Sequence, residues 1–456
     1  MGMKFLDRIE ETKILTRALS QKELSFIVVY GRRRLGKSTL LKRVLKKDDI
    51  YFMADRSEES TQKRFLAMAI ATKYEGFDAV VYPDWESLFR TFNQRCDKGT
   101  TLCLDEFSYL VKSCEALPSI LQKLIDEKSL NFNLIICGSS QQMMFDIALD
   151  AKSPLYGRAN EILRLTPISI SYLPNALKIT AKDAVKEYSV WGGVPRYWEL
   201  REQYRNFNEA LREMALSPYG VLHDEPMHIL RDDMRDLVQA STLLGIIGNG
   251  ANRLSEIAAR AEKNAATLSA PLQKLVKMQL IEREIPFGEN PKSSKHGIYH
   301  LSDPFMNFFY RFINPYRSLL ELGRIESVEK IIHQHMAEFE GACWERLCRQ
   351  SVTGNEIDGT IFNVASRWWG NVSKTERIEL DVVAESIDKK TLLIGECKWT
   401  SSENAERLLE DLKRKTEKLP FASKYQKITY ALFLKEKPSK KADCITYLPE
   451  DILKII

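Results

Sequence analysis

The segment Phe26-Ile27-Val28-Val29-Tyr30-Gly31-Arg32-Arg33-Arg34-Leu35-Gly36-Lys37-Ser38-Thr39-Leu40-Leu41 joins three kinds of local structure end to end. Five apolar and β-branched residues read as a short buried strand, two glycines bracket a turn, and Leu40, Leu41, Val44 and Leu45 recur at helical spacing. A G-x-x-x-x-G-K-[ST] spacing between a strand and a helix suits a phosphate cradle. The glycines let the backbone curl, so its N–H groups face an anion at a helix N-terminus. On this reading Gly31, Arg32, Arg33, Arg34, Leu35, Gly36, Lys37, Ser38 and Thr39 surround the phosphates of a nucleotide. Lys37 neutralises β- and γ-phosphate oxygens, and Ser38 offers its hydroxyl to Mg²⁺.

Working outward, Ile50–Met53, Leu102–Leu104, Leu134–Cys137 and Ile162–Leu165 are further apolar strand-like runs separated by helical periodicity. Alternating strands and helices predict a parallel α/β sheet covered on both faces. Asp105-Glu106 follows the second of these runs, at the carboxyl end of a strand where ligands gather in open α/β sheets. There Asp105 holds Mg²⁺ through water and Glu106 acts as general base on the hydrolytic water, or the acidic pair caps the next helix. In Gly138-Ser139-Ser140, Ser139 lies near a γ-phosphate or the turn is a helix N-cap. Arg158 either adds positive charge to the transferring phosphoryl group, in cis or from a neighbouring subunit, or sits in a surface ion pair.

Residues 181–236 read as helices interrupted by Gly192-Gly193-Val194-Pro195. Residues 237–312 read as helices followed by two strands, Leu280–Ile285 and Ile298–Leu301, around a Gly/Pro/Ser/Lys-rich tip. That is the pattern of a winged helix-turn-helix, with Ala265–Met278 as recognition helix. Lys263, Lys274 and Lys277 near it, and Lys292, Lys295 and His296 in the tip, suit phosphate contacts, yet equally form a solvated face. Beyond a linker at 313–329, Glu376–Glu385 and Thr391–Trp399 form a hairpin in which Asp381, Glu396 and Lys398 converge at one edge. Two carboxylates there make a hard oxygen site for Mg²⁺. Lys398 beside them positions an attacking water, or the E-x-K is a surface ion pair. Trp368 and Trp369 suit core packing better than stacking on bases.

Gly31–Ser38, Asp105-Glu106, Gly138-Ser139-Ser140, Leu155–Arg158 and Trp191–Pro195 together resemble the archaeal-type ATPase family of the AAA+/STAND superclass, over about Phe5 to Tyr197. The resemblance implies an ATP-binding P-loop core at 1–180 and a helical lid at 181–236, in which Gly192, Gly193 and Pro195 contact the nucleotide. The D-x(n)-E-x-K arrangement, with Asp381 and Glu396 fifteen positions apart, resembles the restriction-endonuclease-like PD-(D/E)xK superfamily. Leu380 stands where that pattern has a proline. The resemblance implies an α/β nuclease-like domain at 330–456, with Glu345, in preference to Glu340, as the helical acid that completes the metal set. Tyr299–Phe305, Arg367–Gly370 and Glu396–Trp399 are similar to the nuclease-like domain of unknown function that accompanies this ATPase family.

Composition fits this reading. The 456 residues are 44% hydrophobic and 28% charged, which excludes disordered, collagen-like and coiled-coil classes. Runs long enough to span a bilayer are lacking, as are the apolar stretch of a signal peptide and the myristoylation pattern, so a cytoplasmic protein is expected. A net charge of +5 permits an anionic partner without requiring one. From 330 onward 21 Lys/Arg face 20 Asp/Glu, so a nucleic-acid groove there would be local. The eight cysteines lack CxxC spacing and read as reduced and structural. Three functions stay open: an ATP-driven switch coupled to a Mg²⁺-dependent nuclease acting on DNA or other nucleic acid, a signalling or scaffold ATPase with an inert nuclease-like domain, and an ATP-regulated DNA-binding protein. A homo-oligomer is compatible with each.

Overall fold

The computed structural model describes residues 6–21, 23–128, 130–233 and 236–456. Residues 1–5, on which much of the amino-terminal reading rests, and residues 234 and 235 of the expected lid lie outside the described residues. The chain divides into two compact units: 1–168 with 194–197 and 231–235, and 169–193 with 198–230 and 236–456.

The first unit begins with helix α1 (Ile9–Leu19), then β1 (Phe26–Tyr30), α2 (Lys37–Val44), β2 (Ile50–Met53) and α3 (Glu59–Ala71). It continues with α4 (Trp85–Arg95), β3 (Thr100–Asp105), α5 (Phe107–Ser113), α6 (Leu117–Asp126), β4 (Phe132–Gly138) and β5 (Glu161–Arg164). The five strands form a parallel sheet in the order β2-β3-β4-β1-β5. Every residue of β3 and β4 is buried, as befits central strands covered on both faces. On one face Phe26, Val28, Phe52, Leu134 and Ile136 pack with Trp85, Phe89 and Phe92 of α4. Burying such side chains contributes roughly 1.5–3 kcal/mol each. This is the P-loop NTPase fold, and its sheet aims the ends of β1, β3 and β4 at one edge.

The second unit holds helices Leu237–Gly248, Leu254–Arg260 and Ala265–Lys277, then an antiparallel hairpin of β6 (Ile281–Glu284) and β7 (Ile298–Leu301). The stretch 313–329, expected as a linker, is largely helical: Arg317–Glu321 is one helix, with Leu320 fully buried, and a second helix runs Ile325–Val352. A two-residue pair, β8 (Glu356–Ile357) and β9 (Thr360–Ile361), precedes a five-stranded sheet. Its strands are β10 (Ser366–Asn371), β11 (Arg377–Glu385), β12 (Thr391–Lys398), β13 (Lys427–Leu434) and β14 (Ile445–Tyr447), in that order. The pairs β10-β11 and β11-β12 are antiparallel, β12-β13 and β13-β14 parallel. The parallel step from β12 to β13 is bridged by helix Ala405–Glu417, whose apolar face is buried through Leu409 and Leu412. Among the described residues no helix is long and apolar enough to cross a membrane.

Candidate active site

Gly31 closes β1 with φ +154°, and a Cβ there would stand 2.6 Å from the Leu165 carbonyl oxygen, so only glycine fits. Arg34 and Gly36 are left-handed at φ 67° and 85°. α2 starts directly after Gly36, which has no side chain to cap the helix, so the first N–H groups remain available to an anion. Lys37 is 5% exposed, and its Nζ donates to the carbonyls of Gly31 at 2.7 Å and Arg32 at 3.0 Å. Burial pulls this ammonium below its ordinary pKa, against the attraction of Glu106 and Asp105.

Asp105 is fully buried at the end of β3. Its Oδ2 accepts from Ser38 Oγ at 2.6 Å and from the Tyr51 hydroxyl at 2.6 Å, and its Oδ1 accepts from the Glu106 amide at 2.9 Å. Burial alone would raise this carboxyl, but hydrogen bonds from Ser38, Tyr51, Cys137 and the Glu106 amide hold it below the ordinary range. Glu106 is itself left-handed, at φ 53°, and its Oε1 accepts from Ser139 Oγ at 2.6 Å. Ser140 caps the short helix Gln141–Met144 by accepting from the Met143 amide. Of the two serines of the turn, Ser140 is thus the helix N-cap and Ser139 is hydrogen-bonded to Glu106. Arg33, Glu106, Ser139 and Lys112 line one cleft.

Arg158 lies apart from these contacts, in a two-pronged ion pair with Asp126 at 2.8 Å on each arm. Pro195 opens the helix Pro195–Arg201, and Tyr197 accepts from Arg32 at 3.0 Å. Gly193 belongs to the second unit. Three contributors escaped the sequence reading. Arg8 donates to the carbonyls of Leu35 and Thr166 at 3.2 and 2.7 Å, tying the loop to its base. Tyr51 reaches Asp105 and Tyr197 reaches Arg32 through tertiary contacts that local patterning does not encode.

Residues 5–199 match a family described as an ATPase domain predominantly from Archaea, and residues 309–408 match one described as archaeal and bacterial proteins of unknown function. An uncharacterized protein of Methanocaldococcus jannaschii, MJECL04, is 30% identical over 98% of this chain and 99% of its own length. The chain belongs to the archaeal-type ATPases. The Walker-type ATPase PABY2304 of Pyrococcus abyssi has a similar fold, with TM-score 0.52 and 21% identity over 67% of this chain and 96% of that one.

In the second unit of this archaeal-type ATPase, β11 carries an extra residue relative to β10. Ser366 pairs with Val383 but Trp368 pairs with Leu380, so Asp381 and Val382 both oppose Arg367. Such a bulge bends a strand and re-aims its side chains. Val382 pairs with Gly395 on β12, which brings Asp381 beside Glu396, and Asp381 Oδ2 accepts from the Cys397 amide at 2.8 Å. Glu396 Oε1 accepts from Lys398 at 2.8 Å and its Oε2 from Lys415 at 2.9 Å. The helix Ile325–Val352 supplies Arg349, which donates to the Asp381 carbonyl at 3.0 Å, and Glu345 one turn before it. Glu340, also on this helix, accepts from Trp399 Nε1 at 2.6 Å and is committed to packing.

Burial, and then the charge of Asp381, push the Glu345 carboxyl up to about 7. Burial and the charge of Glu396 raise Asp381, although the Cys397 amide and Lys398 oppose them. Burial would lower Lys398, but Glu396 and Asp381 hold it above its ordinary value. Carboxylates that repel one another, Glu396 buried and Glu345 and Asp381 partly so, form a donor set whose chemistry suits a hard cation. The set is not closed: among the described residues no three His, Cys, Asp or Glu side chains are grouped to hold an ion. Lysines occupy Glu396 instead. Trp368 and Trp369 are each 8% exposed, and Trp368 meets Phe421 edge-on at 5.6 Å, in the core. Arg349 and Lys415 were not singled out in the sequence, and Arg367 was quoted only within the segment Arg367–Gly370, with no site role; of the first two only Arg349, four residues after Glu345, had a legible signal.

Proposed function

We propose that the first unit binds and hydrolyses ATP through Lys37, Ser38, Asp105 and Glu106. The observation that carries this is the hydrogen-bonded chain Tyr51–Asp105–Ser38 beside a buried Lys37 on the loop carbonyls. Lys37 sits on carbonyls that a triphosphate would replace with its β- and γ-oxygens. Glu106, oriented by Ser139, takes a proton from the attacking water as its oxygen bonds to the γ-phosphorus and the bond to the β-γ bridging oxygen breaks. Ser38 and Asp105, already facing one another, would hold Mg²⁺, which when bound neutralises phosphate charge. Glu106→Gln should bind ATP and fail to hydrolyse it; a variant that still turns over would remove Glu106 from this role. Arg158 enters the step only by leaving Asp126.

We further propose that nucleotide state sets the output of the second unit, and that this output is phosphodiester cleavage at Asp381, Glu396 and Lys398. The support is the bulge that turns Asp381 toward Glu396 at the end of β12. Lys398→Ala should abolish Mg²⁺- or Mn²⁺-dependent cutting of DNA or RNA while ATP hydrolysis survives. Absence of cutting in the wild-type protein with ATP and either metal would leave a signalling or scaffold ATPase. The capture of Glu396 by two lysines favours that second reading.

The winged-helix reading of 237–312 takes an intramolecular turn. The Phe287 amide, just after β6, donates to the Arg367 carbonyl at 2.8 Å, and its ring packs on Phe421 at 5.5 Å. The hairpin thus docks on β10 of its own unit. Duplex binding through the recognition helix is tested by neutralising Lys274 and Lys277 together.

A further inference from the structure

The docked hairpin brings one charged group to the edge of the carboxylate cluster. Glu284, the last residue of β6, has its side chain 20% exposed and lies between two arginines from other elements. Its Oε1 is 3.7 Å from Arg349 Nε, and its Oε2 is 3.9 Å from Arg367 Nη1. His300, across the hairpin on β7, meets Oε2 at 3.1 Å through Nε2 and donates to the carboxylate. Resting on the reading of the second unit as a site for phosphodiesters, we propose that Arg349 and Arg367 form its phosphate-binding subsite, and that Glu284 occupies this subsite as a surrogate for the phosphate.

Four features carry this. First, both guanidinium groups border the carboxylate cluster: Arg349 holds the Asp381 carbonyl at 3.0 Å, and Arg367 stands opposite the bulge that carries Asp381. An anion held by both would lie beside Asp381. Second, the contacts to Glu284 are long for charge-assisted hydrogen bonds, which close at ~2.7–2.9 Å when a guanidinium fork meets a fitted oxyanion. A tetrahedral phosphate offers more oxygens than one carboxylate and suits two forks arriving from a helix and a strand. Third, formal charge is conserved by the exchange. One phosphodiester carries the single charge that Glu284 would vacate beside Arg349 and Arg367, whose other carboxylate neighbours, Glu345 and Glu379, stay in place. Fourth, Glu284 is held ionised. Burial would raise it, but the His300 hydrogen bond and the charges of Arg349 and Arg367 keep it below the ordinary carboxylate range.

The carboxylate rides on the wing, and the wing is fastened by Phe287 on the β10 edge. Release of that docking removes the surrogate and exposes the arginines together. The wing then acts as a plug on the site, which accounts for its lying on this sheet.

The test uses the full-length protein with a fluorescein-labelled single-stranded oligonucleotide, in EDTA and at fixed low salt, so that binding is read without any metal or cleavage. Glu284→Gln keeps the shape and removes the charge, and should tighten binding about tenfold, equivalent to ~1.4 kcal/mol. Adding Arg349→Gln and Arg367→Gln should remove the gain. Phe287→Ala, which loosens the docking without touching any charge, should give a smaller gain in the same direction and keeps the test available if Glu284→Gln fails to fold. Unchanged affinity in both Glu284→Gln and Phe287→Ala overturns the proposal, as does a gain that survives loss of both arginines. Tighter binding without metal-dependent cleavage supports the subsite and refutes cleavage; cleavage with unaltered binding keeps the nuclease and refutes the plug.

Discussion

Glu345→Gln should stabilise the second unit at high pH and leave it nearly unchanged at low pH. The folded protein raises this carboxyl from 4.5 to about 7, because burial and the neighbouring Asp381 charge both disfavour ionisation. A raised folded-state pKa means that the contribution is fully present below the unfolded value. It is lost progressively as pH climbs from about 4.5 to about 7, and it does not return above that. At ~1.4 kcal/mol per pH unit the ionised form costs ~3 kcal/mol of folding free energy above pH 7. Glutamine has the same shape, cannot ionise and avoids this cost. The attraction of Arg349 and Arg367, 3.9 and 4.0 Å from the carboxylate, is already contained in the value of about 7, and solvent screening of a side chain 29% exposed makes ~3 kcal/mol an upper bound. With roughly 2 °C per kcal/mol for a unit of this size, the variant should melt up to ~6 °C above wild type at pH 8. Near pH 4.5 the two should melt within ~1 °C of each other, since wild type is then largely protonated in the folded state. Differential scanning calorimetry of both proteins at the two pH values decides it. An equal displacement at both values would show that Glu345 is not a buried, repelled acid, and would remove the electrostatic basis for placing a cation-seeking site there.

Lys37→Ala should reduce ATP affinity at least ~100-fold, since it removes a buried charge from the loop, and calorimetric titration with a non-hydrolysable ATP analogue reads it. Tyr51→Phe takes one of the donors from Asp105 and should cost ~1 kcal/mol of stability, with a several-fold fall in kcat and little change in ATP affinity. Glu187→Ala should destabilise the second unit by about 3–5 kcal/mol, because it strands Arg201 (side chain 7% exposed) and unpairs Trp191 Nε1; chemical denaturation followed by tryptophan fluorescence measures this. Asp126→Asn should leave ATP turnover unchanged if Arg158 serves only as its ion-pair partner, and should alter turnover if that arginine is held in reserve for phosphoryl transfer.

The first unit was legible because its signals are local and redundant. Gly31 is demanded by the Leu165 carbonyl, yet the G-x-x-x-x-G-K-S spacing announces the turn without knowledge of that contact. β3 and β4 carry the apolar runs Leu102–Leu104 and Leu134–Cys137, whose ends place Asp105 and Ser139 by simple continuation. The pairing of Asp381 with Glu396 was equally accessible, since a hairpin of known tip length fixes its own register. What escaped depends on elements distant in sequence. The bulge at Asp381 and Val382 exists only in relation to β10. Lys415 reaches Glu396 from a helix that looks like any amphipathic surface helix. Tyr51 sits on a strand whose alternation allots it to neither core nor site, and the docking of Phe287 follows from the packing of a hairpin on a sheet that the chain has yet to make. Residue type and spacing identify the acids; they do not say which bases those acids have already found.

That distinction separates the two sites physically. Both centre on an aspartate at the sheet edge, and burial pushes each toward its neutral form. Asp105 answers with donors, two hydroxyls, a thiol and its neighbour's amide, and ends below the ordinary carboxylate range, charged and aimed before any ligand arrives. Asp381 has a single amide on its carboxylate and a second acid, Glu396, as neighbour, and ends above that range. The first site is therefore preorganised: the hydrogen bonds that hold Asp105 have already met the cost of desolvating it, and an arriving nucleotide finds the geometry made. In the second the carboxylates repel one another, Glu396 is spent on two lysines, and two arginines face a glutamate from the β6-β7 hairpin. A site built that way changes state when a charge enters or leaves it. In the function proposed above, such a site suits a domain whose output waits on another event, and the β6-β7 hairpin carries one of the charges whose departure would supply it.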